Sequence, residues 1–212
     1  MVHIILLAGG EGVGKSTLAA GLVSRHKYKE ISFADSLRRA AVATWNGLAE
    51  IQGLPCISYD MTLDPRSKES PIPGCEGLTL LGRTLTPRVI LQWFGTDVMR
   101  NIVADDIWVH STLATIQREI ANGETRFVIS DWRFENEYTC LAAFAVGRTD
   151  IRIERIRLER GDVDDKKRQE LAEAALAGHP SARGWVTMPC DKVLRNPRTL
   201  PWILETVDEL AR

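Results

Sequence analysis

The sequence predicts an α/β fold in which a mostly parallel sheet is layered with helices. Three observations carry that expectation. The chain starts with an apolar run, Val2 to Ala8, that ends in glycines and passes straight into a helical pattern. Further short apolar or alternating runs follow at 31–33, 126–130, 151–158 and 192–194, separated by helical stretches, which is the pattern of β–α–β units. The chain has 212 residues, 44% of them hydrophobic, which suits one core with an insertion better than two separate cores.

The first run sets the fold type. Gly9, Gly14, Lys15 and Ser16 fit G-x-x-x-x-G-K-[ST] in the stretch Gly9-Gly10-Glu11-Gly12-Val13-Gly14-Lys15-Ser16-Thr17. Small residues let backbone N–H groups close around a phosphate, and the next helix points its positive end at the same anion. Lys15 would reach the β- and γ-phosphates, and Ser16 would place its hydroxyl on Mg²⁺. An ordinary Gly-rich turn is the alternative. It is outweighed by the context of strand before and helix after. The expected fold is therefore the P-loop NTPase type, a three-layer α/β/α sandwich.

Charge and cysteine usage narrow the partners. Net charge is −1, so no global basic field points to nucleic acid or an anionic membrane, and an anion site must be made locally. The four cysteines, Cys56, Cys75, Cys140 and Cys190, form no C-x-x-C, which fits a reducing cytoplasm rather than zinc or a disulfide framework. No apolar run reaches transmembrane length, and the short run at Ile4–Ala8 has no basic region before it, unlike a signal peptide.

The elements follow in order. Leu18, Leu22 and Val23 share one side of a helix from Lys15 towards His26. Ile31-Ser32-Phe33 reads as a second strand, and Asp35 or Ser36 as the N-cap of the next helix. Prolines and glycines from Gly53 to Pro87 describe a long irregular excursion. Thr86-Pro87 opens a helix expected to run to about Gly95, and Asp105-Asp106 opens another to Gly123. A strand at 126–130 ends at Asp131, and a helix follows from about Glu135 to Gly147. Residues 151–158 alternate as a strand with one solvated face. An Ala-rich helix to Gly178 and an irregular stretch from His179 to Pro189 come next, then a strand at 192–194 and a closing helix from Leu200 to Leu210. His3, His26 and His110 read as surface or strand-edge residues.

Several groups beyond the loop bear chemistry. Asp131 stands at the carboxyl end of an apolar strand, where a phosphate-loop protein places its second carboxylate near Mg²⁺; capping the next helix is the competing role. Arg133 beside it could clamp a phosphate bidentately. Asp35 and Arg38 follow the second strand. Gln92 and Asp97 suit a base or ribose edge, and Arg100 suits a phosphate. Trp93 reads more readily as a core aromatic than as a stacking platform. Lys68 sits in a loop and would not stand out on its own.

These residues occur in a recognisable order. The loop, Phe33-Ala34-Asp35-Ser36-Leu37-Arg38, Lys68-Glu69-Ser70-Pro71, Leu91-Gln92 with Gly95-Thr96-Asp97 and Arg100, and Ser130-Asp131-Trp132-Arg133-Phe134-Glu135-Asn136-Glu137 together resemble the deoxynucleoside monophosphate kinases of tailed bacteriophages. The resemblance covers Met1 to about Leu158. His179-Pro180-Ser181 and Cys190 to Asn196 are less similar, and Ala182 stands where related sequences often carry an acidic residue. It implies ATP-dependent phosphorylation of a deoxynucleoside 5′-monophosphate with Mg²⁺, in the cytoplasm of a host cell. It implies a donor site of Gly10, Gly12, Val13, Gly14, Lys15, Ser16, Thr17 and Arg157, with Ser16 and Asp131 on the metal. It implies an acceptor site of Asp35, Arg38, Lys68, Gln92, Trp93, Asp97 and Arg100, with Lys15, Asp131 and Arg133 at the transfer itself.

The whole chain is thus expected to be a single kinase domain, with a helical acceptor-binding insertion at roughly 53–123 and a lid-like region at roughly 159–182; Arg157 and Arg160, at its start, are the candidates for the arginines that such kinases set over the transferring phosphate. Trp93, Trp108 or Trp202 could serve a homodimer interface, although a core role fits them equally. The competing readings are another small-molecule kinase, such as a dephospho-coenzyme A kinase, and a nucleotide-binding switch. The absence of Asn-Lys-x-Asp speaks against a GTPase.

Overall fold

The computed structural model describes residues 1–178 and 180–212, with the backbone alone described at 180–183. His179 lies outside the described residues. Residues Met1–Phe33 and Thr112–Arg212 form one compact unit, and Ala34–Ser111 forms a second.

The first unit is built on β1 (Val2–Ala8), whose seven residues are all buried. A strand covered on both faces has no solvated side, so it reads as a continuous apolar run rather than an alternation. Helix α1 (Lys15–His26) follows the loop and leads to β2 (Lys29–Ile31). Strand β2 is placed two residues earlier than the expected run, because Ser32 and Phe33 are used elsewhere. The first unit resumes at Thr112 within α5 (Ile107–Ala121), which leads to β5 (Arg126–Ile129), α6 (Glu135–Ala145), β6 (Ile151–Arg160), α7 (Asp165–Leu176), α8 (Pro180–Thr187), β7 (Lys192–Asn196) and α9 (Leu200–Leu210).

The five strands lie in the order β2-β5-β1-β6-β7, and every pair is parallel. The neighbours of β1 sit on opposite sides of it, so connections from the middle of the sheet run in both directions. Such a reversal leaves a crevice beyond the carboxyl ends of the strands, and the phosphate loop leaves β1 at that end. On one face Ile5, Leu7, Val128, Ile156 and Leu158 pack with Leu18 and Leu22 of α1 and Ile203, Val207 and Leu210 of α9. Ile4, Leu6, Phe127 and Ile129 point the other way and are equally buried, as are Ile116 of α5 and Leu141 of α6. The fold is the layered, parallel α/β architecture expected.

Two expectations are corrected here. His3 is buried, not at the surface, because its strand is the central one. Its Nδ1 is 2.8 Å from the Tyr28 hydroxyl, and burial together with Arg152, Arg126 and Lys192 lowers its pKa to about 4. Of the stretch expected to be irregular, the described residues 180–187 form helix α8. Gly184 lies inside this helix, where its place is dictated by a close neighbour described below.

The second unit starts with α2 (Ala34–Gln52), so Asp35 and Ser36 lie inside its first turn rather than capping it. A short helix α3 (Pro65–Glu69) and a hairpin, β3 (Thr79–Leu80) with β4 (Arg83–Thr84), punctuate the Pro- and Gly-rich excursion. Helix α4 (Pro87–Gln92) is capped by Thr86, whose hydroxyl accepts from Val89 N at 3.2 Å. The chain does not stop at Gly95 but winds on as a π-helix over Trp93–Val103. A Cβ at Gly95 would come within 2.6 Å of the Leu37 side chain, so Gly95 marks close packing rather than an end. Ile57, Ile72, Cys75, Leu85, Ile90 and Leu91 form the core of this unit with Ala41.

Candidate functional site

The phosphate loop is shaped by two contacts that exclude side chains. Gly14, the residue before α1, has φ 97°, and a Cβ there would sit 2.4 Å from Asn196 Nδ2. Gly9 has φ 144°, and a Cβ there would sit 2.4 Å from the Leu158 carbonyl oxygen. Helix α1 has no side-chain cap and no acidic residue in its first turn. Its N-terminal amides and partial positive charge are thus presented to an anion from outside the chain.

Lys15 folds over this loop. Its Nζ donates to the Gly9 carbonyl at 2.7 Å and the Gly10 carbonyl at 2.6 Å. Burial, and after it the Arg133 charge, lower its pKa to about 8 against the opposing charges of Glu11 and Asp131. Ser16 and Thr17 are exposed at the start of the helix.

Asp131 is held at the carboxyl edge of the sheet. One carboxylate oxygen accepts from Ser32 Oγ at 2.6 Å and the other from Phe33 N at 3.0 Å. These bonds explain why β2 ends at Ile31. Capping of α6 falls instead to Glu137, which accepts from Arg133 N at 2.8 Å and Phe134 N at 3.1 Å. Arg133 itself is exposed beside the buried Trp132. Asp131 offers carboxylate oxygens and Ser16 a hydroxyl. These are hard oxygen donors, and Mg²⁺ is commonly held by one or two such groups completed by substrate phosphates. Among the described residues no cluster of three His, Cys, Asp or Glu is placed to hold a metal. The oxygens of Ser16 and Asp131 are donors of the kind that suit Mg²⁺ arriving with a nucleotide.

Helix α8 lies against the same region. A Cβ on Gly184 would overlap the Arg133 carbonyl oxygen at 1.8 Å, so only glycine lets α8 approach. The Trp185 ring is placed so that a Cβ on Gly10 would meet it at 3.4 Å. Arg157, paired with Ala8 across β6 and β1, donates to the Val186 carbonyl at 3.3 Å and lies 3.3 Å from Glu159. No sequence pattern marks Trp185 or Asn196, because their roles depend on packing between segments far apart in the chain.

The remaining candidates belong to the second unit. Asp35 accepts hydrogen bonds from the Tyr59 hydroxyl and, at 3.1 Å, from Arg39 Nε. Burial pushes its carboxyl upward, but these bonds and the charges of Arg39 and Arg38 outweigh that and hold it below the usual carboxylate value. The Arg39 guanidinium lies 5.3 Å from the centre of the Tyr59 ring. Gln92 Oε1 accepts from Arg83 at 2.8 Å. Arg100 is buried and donates to the Asp105 carbonyl at 2.9 Å. Trp93 and Asp97 are half-buried on the π-helix, and Lys68 is half-buried on α3. The contact of Gly95 with Leu37 brings the first turn of α2, with Asp35 and Arg38, against this helix. π-wound turns are rare and frequently lie at functional sites. Tyr59 and Arg83, the partners of Asp35 and Gln92, sit in no sequence motif.

Fold and loop together define a P-loop-type α/β protein. No family model matches the chain. A protein of Acanthamoeba polyphaga mimivirus named "Putative deoxynucleotide monophosphate kinase" is 32% identical over 144 residues, 63% of this chain. The match spans 65% of that relative's length. Among solved structures, a sugar kinase from Janibacter sp. HTCC2649 aligns with 99% of this chain and 94% of its own at 11% identity and TM-score 0.45. A "putative kinase" from Chloroflexus aurantiacus J-10-fl aligns with 99% and 93% at 16% identity and TM-score 0.46. Among the described residues no helix is long and apolar enough to cross a membrane.

Proposed function

We propose that this protein is an ATP-dependent kinase that phosphorylates a deoxynucleoside 5′-monophosphate to the diphosphate. The observation that carries the reading is the phosphate loop, with uncapped α1 amides and Lys15 enclosed above them. The name of the mimivirus relative and the ordered motifs shared with bacteriophage enzymes support the deoxynucleotide acceptor. The same resemblance supports a phage-type enzyme at work in host cytoplasm.

In this reading one acceptor phosphate oxygen bonds to the γ-phosphorus as the bond to the β–γ bridging oxygen breaks, and ADP leaves with that electron pair. The attacking oxygen is already ionised near neutral pH, so no residue has to remove a proton. The chain must instead offset repulsion between two anions and align them. Lys15, Arg133 and Arg157 serve the donor phosphates, while Gly10, Gly12, Val13, Gly14 and Thr17 supply the cradle. Ser16 and Asp131 would hold Mg²⁺ brought in with the nucleotide, and the ion would neutralise charge that develops on the phosphates. Asp35, Arg38, Lys68, Gln92, Trp93, Asp97 and Arg100 take the acceptor.

The test is a panel of nucleoside and deoxynucleoside monophosphates with ATP and Mg²⁺, read by product mass. At least one deoxynucleoside diphosphate is expected. Phosphorylation of dephospho-coenzyme A alone, or hydrolysis with no acceptor, would replace this reading.

A further inference from the structure

We infer that Asn196 is a positioning residue for the phosphate loop. It closes β7, 182 residues after Gly14 in the chain (196 − 14), and is only 3% exposed. Its Nδ2 donates to the Val13 carbonyl at 2.9 Å, and its Oδ1 accepts from Arg198 N at 2.7 Å. Both ends of the amide are committed, which settles its orientation: the N–H faces an acceptor and the oxygen faces a donor. Its backbone carbonyl accepts from Gly161 N at 2.8 Å, so the residue is anchored before its side chain is considered.

The consequence follows from peptide geometry. The Val13–Gly14 bond is planar and trans, so its C=O and N–H point in opposite directions. A grip on the Val13 oxygen from one side aims the Gly14 N–H to the other. Gly14 lies where a loop amide must point at an anion. Asn196 therefore presets that donor before any phosphate arrives, and preset donors cost no reorganisation when charge appears. The short approach of Nδ2 to the Gly14 Cβ position adds a second role for that glycine: it clears space for the grip.

This inference rests on the donor-site reading above. The test is Asn196→Ala, with ATP affinity measured by calorimetry in Mg²⁺ and with the Michaelis constant of the acceptor measured separately. ATP affinity is expected to fall on the order of tenfold, the cost of one strong hydrogen bond, while the acceptor constant stays within about twofold. Asn196→Ser, which keeps a short polar group but cannot span to Val13, is expected to behave alike and serves if Asn196→Ala does not fold. In the unaltered protein, the side-chain amide resonance of Asn196 should shift together with that of Gly14 when ATP is added. Unchanged ATP affinity in a folded variant, equal weakening of both substrates, or a stationary Asn196 resonance would overturn the inference. Failure of the unaltered protein to bind ATP would overturn the donor-site reading itself.

Discussion

Lys15 and Gly10 are joined by a 2.6 Å hydrogen bond from the ammonium to the backbone carbonyl, so the lysine rests on the loop it is expected to serve. An incoming phosphate competes with that carbonyl for the ammonium. The enclosure that makes this contact also lowers the pKa of Lys15 to about 8. The folded state thus holds this proton less tightly than an ordinary lysine. Between about pH 8 and the ordinary lysine value the unfolded chain binds more protons, and this residue's contribution to stability rises with pH there. Activity runs the other way. Apparent ATP affinity should fall as pH rises through about 8, and the fall should vanish in Lys15→Arg, whose charge does not titrate in this range. Lys15→Ala should lower turnover by about a hundredfold or more at pH 7. Steady-state rates from pH 6 to 10 decide both points; near-normal turnover of Lys15→Ala removes the lysine from the site.

Asp131 connects the ends of two strands through Ser32 and Phe33, and it is also the carboxylate proposed for Mg²⁺. The two roles separate by substitution. Asp131→Asn keeps an oxygen acceptor for one donor but loses the charge. It should raise the Mg²⁺ concentration needed for half-maximal rate several-fold while leaving the melting temperature within a few degrees, equivalent to about 1 kcal/mol. An unchanged Mg²⁺ dependence assigns Asp131 to the strand ends alone.

Tyr59 stands behind Asp35 and donates its hydroxyl to that carboxylate. Asp35 is held below the usual carboxylate value, so its contribution to stability is present above that value and is lost as pH falls through the lower folded pKa. Tyr59→Phe removes one of the bonds that lower it. The Asp35 carboxyl should then titrate at higher pH by NMR, and the acceptor Michaelis constant should rise with little change in that of ATP. A carboxyl that titrates as before would detach Tyr59 from this role.

Gly184 and Arg133 approach too closely for any side chain between them. Gly184→Ala should displace α8 and with it Trp185, at a cost of about 1–3 kcal/mol. Trp185 also gives a direct readout, since its ring lies over Gly10. Addition of ATP should change tryptophan emission, and Trp185→Phe should abolish most of that change although five other tryptophans remain of the six in the chain. A full signal in Trp185→Phe would place the reporter elsewhere.

The sequence by itself determined the frame. A continuous apolar run, glycines and Lys15-Ser16 in order specify a buried strand, a phosphate loop and a helix, because the physical requirements of each are local. The alternation at 151–158 and the Thr86-Pro87 cap were legible for the same reason. Tertiary structure alone decided what depends on distant neighbours. Gly95 reads as a helix end in sequence yet lies inside a helix, as does Gly184, because each makes room for one partner, Leu37 or the Arg133 carbonyl. His3 looks like a solvated histidine until its strand is seen to be central. Asn196 and Tyr59 carry no motif at all; they matter because folding sets one amide against Val13 and one hydroxyl against Asp35. Local spacing can encode a backbone conformation, but a contact between segments far apart in the chain is written in neither segment alone.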